Sequence, residues 1–388
     1  MRVLRLLLIA LIVVNFSYAQ ESSERSVPQE MGAGGIEAPD INEPDADEIE
    51  RANDGDQKSL AALKAVREGN DFWRSGEIER SSASYQRAIN LDPSFYSAQF
   101  NFGLTLLHSK EYGRAVLAFT EALRLRPGSA SAWQNLGFAH HRRKHYEKGI
   151  EAFRKAQLLA PDEPATNSNL GFAYLHARRY QESIVSFQNA LQLDPGFSPA
   201  INGFCGARVL AKKPGTVEAC LKAVAAYPDS AVPHYFLGVA YMDDGKPEKA
   251  LSPLQKASRI EPRSPRIFVA LGFACFKLEK YGDALNYFEN ATTLDLKAHY
   301  ALTGLGVTYA QLKEYEKAES VLRQAVSFDP DNLSASFNLG IVCLVRKNRD
   351  CALSQYNRLK KVDHPLAKSL FTTLFRDRIL DASAHEKP

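Results

Sequence analysis

Cysteine, methionine and tryptophan are scarce, with 5, 3 and 2 copies among 388 residues. No two cysteines form a C-x-x-C pair, which argues against a structural zinc framework. No Gly-rich phosphate loop, G-x-S-x-G elbow or H-E-x-x-H pair occurs, so no catalytic constellation and no cofactor site is legible. Beyond the first twenty residues no apolar run is long enough to cross a membrane. The net charge is only +3, and no nucleic-acid partner is expected.

That small net charge hides an asymmetry. Residues 20–57 carry twelve Asp/Glu and two Arg, whereas the chain from Lys58 onward carries 44 Lys/Arg and 33 Asp/Glu. The acidic stretch is rich in Pro, Gly and Ser and has no apolar period, so it is expected to be disordered. Before it, Arg2 and Arg5 precede the apolar run Leu6–Val14, and Ser17 and Ala19 are the small residues a signal peptidase accepts. Residues 1–19 therefore read as a secretory signal cleaved after Ala19, with an uncleaved anchor as the alternative. A periplasmic or extracellular location is expected. Without a nearby cysteine, a lipoprotein is disfavoured.

From about Leu60 the chain repeats. Trp133, Leu136 and Gly137 are followed by Gly149, Phe153, Ala156 and Pro161. One period of 34 residues earlier stand Phe102, Gly103, Ala115, Phe119, Ala122 and Pro127, and one period later Leu170, Gly171, Tyr174, Phe187, Ala190 and Pro195. The register extends over about nine units, near 62–95, 96–129, 130–163, 164–197, 198–230, 231–264, 265–298, 299–332 and 333–365. The fifth is one residue short and carries Cys205 and Cys220 in place of the Gly and the large residue. In each unit Gly and Ala let two helices approach, large apolar residues fill the space to the next pair, and Pro ends the second helix. Leu366, Leu370, Phe371, Leu374, Phe375 and Ile379 then form one helical stripe, predicting a capping helix over 366–380, with 381–388 fraying.

This pattern resembles the tetratricopeptide repeat (TPR), W-x2-L-G-x2-Y, A-x3-F, P at 34 residues, and the resemblance covers most of the chain. It implies an all-α fold, a right-handed superhelix of helix–turn–helix repeats. It also implies a non-enzymatic scaffold that holds a peptide or protein on its inner wall.

On that wall, two residues before the repeated Gly, stand Asn101, Asn135, Asn169 and, much later, Asn338. A side-chain amide offers one donor and one acceptor, which matches an extended peptide backbone. Such a ladder is similar to those of TPR proteins that hold extended peptides. The middle repeats break it with Gly203, Phe236, Ala270 and Gly304, so a polar groove is expected in repeats two to four. In the middle repeats Tyr235, Phe236, Phe273 and Phe276 are expected to line an apolar stretch. A carboxylate clamp is not found. Arg142, Arg143, Arg178 and Arg179 form a basic edge in successive turns, an alternative site for an anionic polymer or glycan. In that turn His141 and His145, four apart, are not expected to hold a metal. Helix spacing brings Cys205 near Cys220 and Cys343 near Cys351, so two disulfides are expected if the chain is secreted, leaving Cys275 free. The acidic tail could itself occupy the groove. The sequons at Asn290 and Asn332 matter only in a eukaryotic secretory pathway.

Overall fold

The computed structural model describes residues 41–53, 57–295, 297–362 and 364–374. The expected signal, most of the acidic stretch and residues 375–388 lie outside them. The described residues are helices and connections without a strand. They belong to two compact units, one within Val27–Ala226 and one within Tyr227–Pro388.

The N-terminal unit begins with a short helix, Ala46–Asn53, and then stacks five antiparallel hairpins: Gln57–Arg74 with Ile78–Leu91, Tyr96–His108 with Tyr112–Leu125, Ala130–Arg142 with Tyr146–Leu159, Pro164–His176 with Tyr180–Leu193, and Ser198–Leu210 with Thr216–Ala226. The repeated Gly sets the spacing within each pair. A methyl group on Gly103 would lie 2.7 Å from the Phe119 ring, and one on Gly137 would lie 2.8 Å from Phe153. Both rings are essentially fully buried. In the fifth hairpin that contact is replaced by a Cys205–Cys220 disulfide, with Cα atoms 4.8 Å apart.

The C-terminal unit repeats the plan with Ala231–Asp243 and Pro247–Ile260, Pro265–Lys277 and Tyr281–Leu294, His299–Gln311 and Tyr315–Phe328, and Leu333–Val345 and Arg349–Lys361. Gly238, Gly272 and Gly306 face Leu254, Phe288 and Leu322. A Cys343–Cys351 disulfide spans the turn of the last hairpin. There the expected partner of the repeated Gly is displaced. Gly340 faces Leu370 and Gln355, while the Tyr356 ring packs 5.5 Å from Phe371. Residues 365–374 are helical, and Leu366, Leu370 and Leu374 are buried, closing the open side of that hairpin.

Every hairpin turn uses one backbone device. In the second, Lys110 N–H donates to the Leu107 carbonyl (3.0 Å) and Glu111 N–H to the Leu106 carbonyl (2.7 Å). This is a Schellman ending, which needs a left-handed residue at its centre. That residue is Gly76, Lys110, Lys144, Arg178 and Lys212 in the N-terminal unit, and Gly245, Glu279, Lys313 and Lys347 in the C-terminal one. Non-glycine residues tolerate this φ at a cost of roughly 1 kcal/mol. The backbone bonds closed at each turn offset that cost.

Residues 41–53 correct the expectation of disorder. They lie against the first two hairpins, with Ile41 and Ile49 packed on the core and Ala52 buried. Mean composition marked this segment as unstructured, but its charges have specific partners. Its helix also starts with a capping box: Glu48 N–H donates to Asp45 Oδ1 (2.9 Å) and Asp45 N–H to Glu48 Oε2 (3.2 Å).

Candidate functional site

Asn101, on the first helix of the second hairpin, is fully buried and reads the backbone of Asn42. Asn42 N–H donates to Asn101 Oδ1, and Asn101 Nδ2 donates to the Asn42 carbonyl, each at 2.8 Å. Nδ2 also donates to Asn70 Oδ1 (3.0 Å), which accepts from the Tyr85 hydroxyl (2.8 Å). Burial pushes that hydroxyl up to a pKa of about 12, so it remains a donor. The slot therefore does with Asn42 what the sequence expected of a peptide ligand, and its occupant is the chain's own acidic segment.

Apart from Arg51, the neighbouring contacts are acidic on the segment and cationic or N–H on the hairpins. Glu43 pairs with Arg74 and accepts from Asn70 Nδ2 (3.1 Å). Asp45 pairs with Arg126, whose guanidinium lies 4.1 Å from the Tyr96 ring centre. Arg51 reaches Ser94 Oγ (2.7 Å). Glu48 accepts from Ser97 N–H (3.0 Å). Ser97 stands in the first turn of a helix whose N-cap residue, Phe95, supplies no side-chain acceptor. Glu48 thus caps that helix from outside, where a carboxylate also meets the positive end of the helix dipole. Burial raises the Glu48 pKa against the lowering effect of Ser97 and Arg51. Each Asn101 bond contributes about 1 kcal/mol net, the cap about 1 kcal/mol, and each half-exposed ion pair at most about 1 kcal/mol. The segment is held by several modest interactions and by no single dominant one.

Among the described residues the other rungs have no such occupant. Asn135 Nδ2 donates to the Ser131 carbonyl (2.9 Å) and Asn338 Nδ2 to the Ser334 carbonyl (2.9 Å). Their Oδ1 atoms, and Nδ2 of Asn169, are buried without a partner among the described residues. Two of the four gaps in the ladder, Gly203 and Gly304, have a packing cause. A methyl on Gly203 would lie 2.2 Å from Phe187, and one on Gly304 would lie 2.4 Å from Phe288.

The expected apolar groove is corrected. Tyr235, Phe236, Phe273 and Phe276 are 6%, 1%, 2% and 6% exposed and are consumed by packing within the C-terminal unit. Tyr235 stacks edge-on with Phe236, Phe273 with Phe288 and Phe276 with Tyr281. First helices here bury almost their whole circumference, so an aromatic on one fills space between hairpins.

The basic edge is divided. Arg142 Nε donates to the Tyr112 hydroxyl (3.2 Å), and Arg179 pairs with Glu147 and Glu182. Arg143 and Arg178 are exposed. Beside them, the His141 and His176 rings lie 4.7 Å apart, and the Nε2 atom of each is buried without a partner among the described residues. Burial first, then the neighbouring His176 and Arg142 charges, lower the His141 pKa to about 3. Burial lowers that of His176 to about 4. Among the described residues, Glu319, Cys343 and Cys351 bring ligand atoms within 4.8 Å of one another. The two sulfurs are bonded to each other and Glu319 is paired with Arg323 and Arg346, so this is not a metal set. Asn332 is buried and caps a helix through Ala335 N–H (2.9 Å), which withdraws it as a glycan acceptor.

Antiparallel helix pairs stacked through small-to-large contacts define a helical-repeat scaffold for protein–protein interaction. Two family models described as tetratricopeptide repeat match 66–130 with 270–332 and 130–163 with 164–197, together about half of the chain. The chain belongs to the tetratricopeptide-repeat family. A model described as anaphase-promoting complex, cyclosome, subunit 3 matches residues 214–291. The chain is 36% identical over 93 residues to tetratricopeptide repeat protein 21A of Mus musculus, covering 24% of this chain and 7% of that protein. It is 26% identical over 163 residues to anaphase-promoting complex subunit cut9 of Schizosaccharomyces pombe, covering 40% of this chain and 24% of that protein. The chain therefore spans less than a quarter of the length of either relative. Among solved structures, the APC/C hetero-tetramer Cut9–Hcn1 matches with a TM-score of 0.54 at 18% identity, over 82% of this chain and 76% of that one. A tetratricopeptide repeat protein from Parabacteroides merdae matches with a TM-score of 0.51 at 15% identity, over 64% of this chain and 99% of that one. These likenesses concern the fold.

Proposed function

We propose that the chain is an exported, non-enzymatic scaffold that holds an extended segment of a partner protein along its N-terminal unit, at Asn135 and Asn169. The observation that carries this reading is the Asn101–Asn42 pair, in which a ladder amide engages both the N–H and the carbonyl of one residue. The buried, unpartnered Asn135 Oδ1 and Asn169 Nδ2 supply the acceptor and donor for the next stretch of backbone. Such atoms are costly to leave unpaired, by about 1–3 kcal/mol each, so a ligand that satisfies them gains that energy. Support for export comes from the signal-like residues 1–19 and from four cysteines placed as two disulfides, a pairing that persists in oxidising compartments.

The test is a displayed library of extended peptides selected on the full-length chain and on its Asn135→Ala/Asn169→Ala variant. Peptides held by the first and lost by the second, and lost again when single backbone amides are N-methylated, support the reading. Selection of the same peptides by both proteins overturns it. Protein taken from its native source should resist alkylation at Cys205, Cys220, Cys343 and Cys351, and free thiols at all four would remove the disulfide support for export.

A further inference from the structure

The cradle around Asn101 is more selective than a backbone ladder. It has one backbone-reading amide, Asn101, and two guanidiniums, Arg74 and Arg126. It also has one helix N-terminal amide, that of Ser97, and a Tyr96 hydroxyl that accepts from Asn42 Nδ2 (3.4 Å). Each meets a defined position of the occupant: Asn42 at Asn101, Glu43 at Arg74, Asp45 at Arg126 and Glu48 at Ser97. The recognised pattern is Asn-Glu-x-Asp-x-x-Glu, an extended dipeptide that turns into a helix with its own capping box. Because the capping box is internal to the occupant, a short segment carries the whole recognition element.

The two ion pairs are of an exchangeable kind. The side chains of Arg74 and Glu43 are 55% and 57% exposed, and those of Arg126 and Asp45 are 44% and 31% exposed, so water and salt reach both ion pairs. Three carboxylates, at positions 43, 45 and 48, meet two guanidiniums and a helix N-terminus, which sets the charge of anything that replaces them. From this we propose that the cradle is a docking site for acidic, helix-capping segments of partner proteins, and that residues 41–53 are its tethered occupant, displaced when a partner presents the same pattern. The proposal rests on the scaffold reading above but on different residues, so failure at Asn135 and Asn169 leaves it standing. A tethered occupant competes at a high effective concentration, so a free segment binds the intact chain weakly.

The test uses a fluorescent peptide of residues 41–53 and two full-length proteins, the wild type and a Glu43→Gln/Asp45→Asn/Glu48→Gln variant that weakens only the tethered copy. The expected result is binding to the variant at least tenfold tighter than to wild type. That binding should weaken with added salt and be lost when Arg74→Ala and Arg126→Ala are added. A peptide carrying the same three amide substitutions should not bind. Equal affinity for wild type and variant, or no binding to a variant whose circular dichroism matches wild type, overturns the proposal. If the variant does not fold, hydrogen exchange on the wild type decides. Faster exchange of amides 41–53 at millimolar peptide supports displacement, and unchanged exchange overturns it. Dimers formed by exchange of the segment between copies would replace the foreign partner by a second copy and overturn the assignment to one.

Discussion

The Asn101 side chain and the Asn42 backbone exchange two hydrogen bonds of 2.8 Å each, across 59 positions of sequence. The replacement Asn101→Ala removes both and leaves the Asn70 and Tyr85 side chains without their third member. The expected cost is about 2–4 kcal/mol to the docking of the segment. Hydrogen exchange should rise over residues 41–53 and stay unchanged in the C-terminal unit. Equal protection of the segment in wild type and variant would show that its other contacts suffice.

The His141 and His176 pair makes stability depend on pH in a direction that can be worked out. Both folded-state pKa values are depressed, to about 3 and about 4, against about 6.5 in the unfolded chain. The unfolded chain therefore takes up protons first. The contribution of the pair is complete above pH 6.5 and is lost progressively as the pH falls towards 4, by at most about 1.4 kcal/mol per pH unit for each imidazole. Urea unfolding at pH 7 and pH 5 should show a loss in wild type that is clearly smaller in His141→Gln/His176→Gln. Parallel losses in the two proteins would assign the effect elsewhere.

Two glycines of the C-terminal unit predict opposite outcomes for one substitution. At Gly306 an added methyl would lie 2.4 Å from Leu322 Cγ, whereas at Gly282 nothing stands within 4 Å. Gly306→Ala should cost about 1–3 kcal/mol by forcing the hairpin apart. Gly282→Ala, within the Tyr281–Leu294 helix, should be neutral or stabilising by up to about 1 kcal/mol. Thermal melting of both variants checks this, and a stable Gly306→Ala would show that the hairpin spacing is not set at that contact.

Much of the fold was legible because each repeated slot carries one physical requirement. Gly103 faces Phe119 and Gly137 faces Phe153 at the spacing the period implies, and Cys205 and Cys220 occupy those same two slots, so their pairing was readable too. The segment at 41–53 was not legible, because its partners Asn70, Arg74, Ser97 and Arg126 are scattered 27 to 81 positions away. Averaging over residues 20–57 hid Asp45 and Glu48 among unpatterned acids. The four aromatics of the middle repeats were misread for a related reason. Periodicity placed them on first helices, but only packing shows that Phe236 and Phe273 fill the space between hairpins instead of facing a groove.

Because Glu48 supplies the acceptor for an amide 49 positions later, the unit that recurs in the sequence is not the unit that stands alone. Cutting the chain at the start of its first hairpin would keep every repeat and still expose Ser97 N–H, strip the carboxylates from Arg74 and Arg126, and uncover the core beside Ile41 and Ile49. The natural boundary of the array lies upstream of its periodicity, in residues that carry no trace of the repeat.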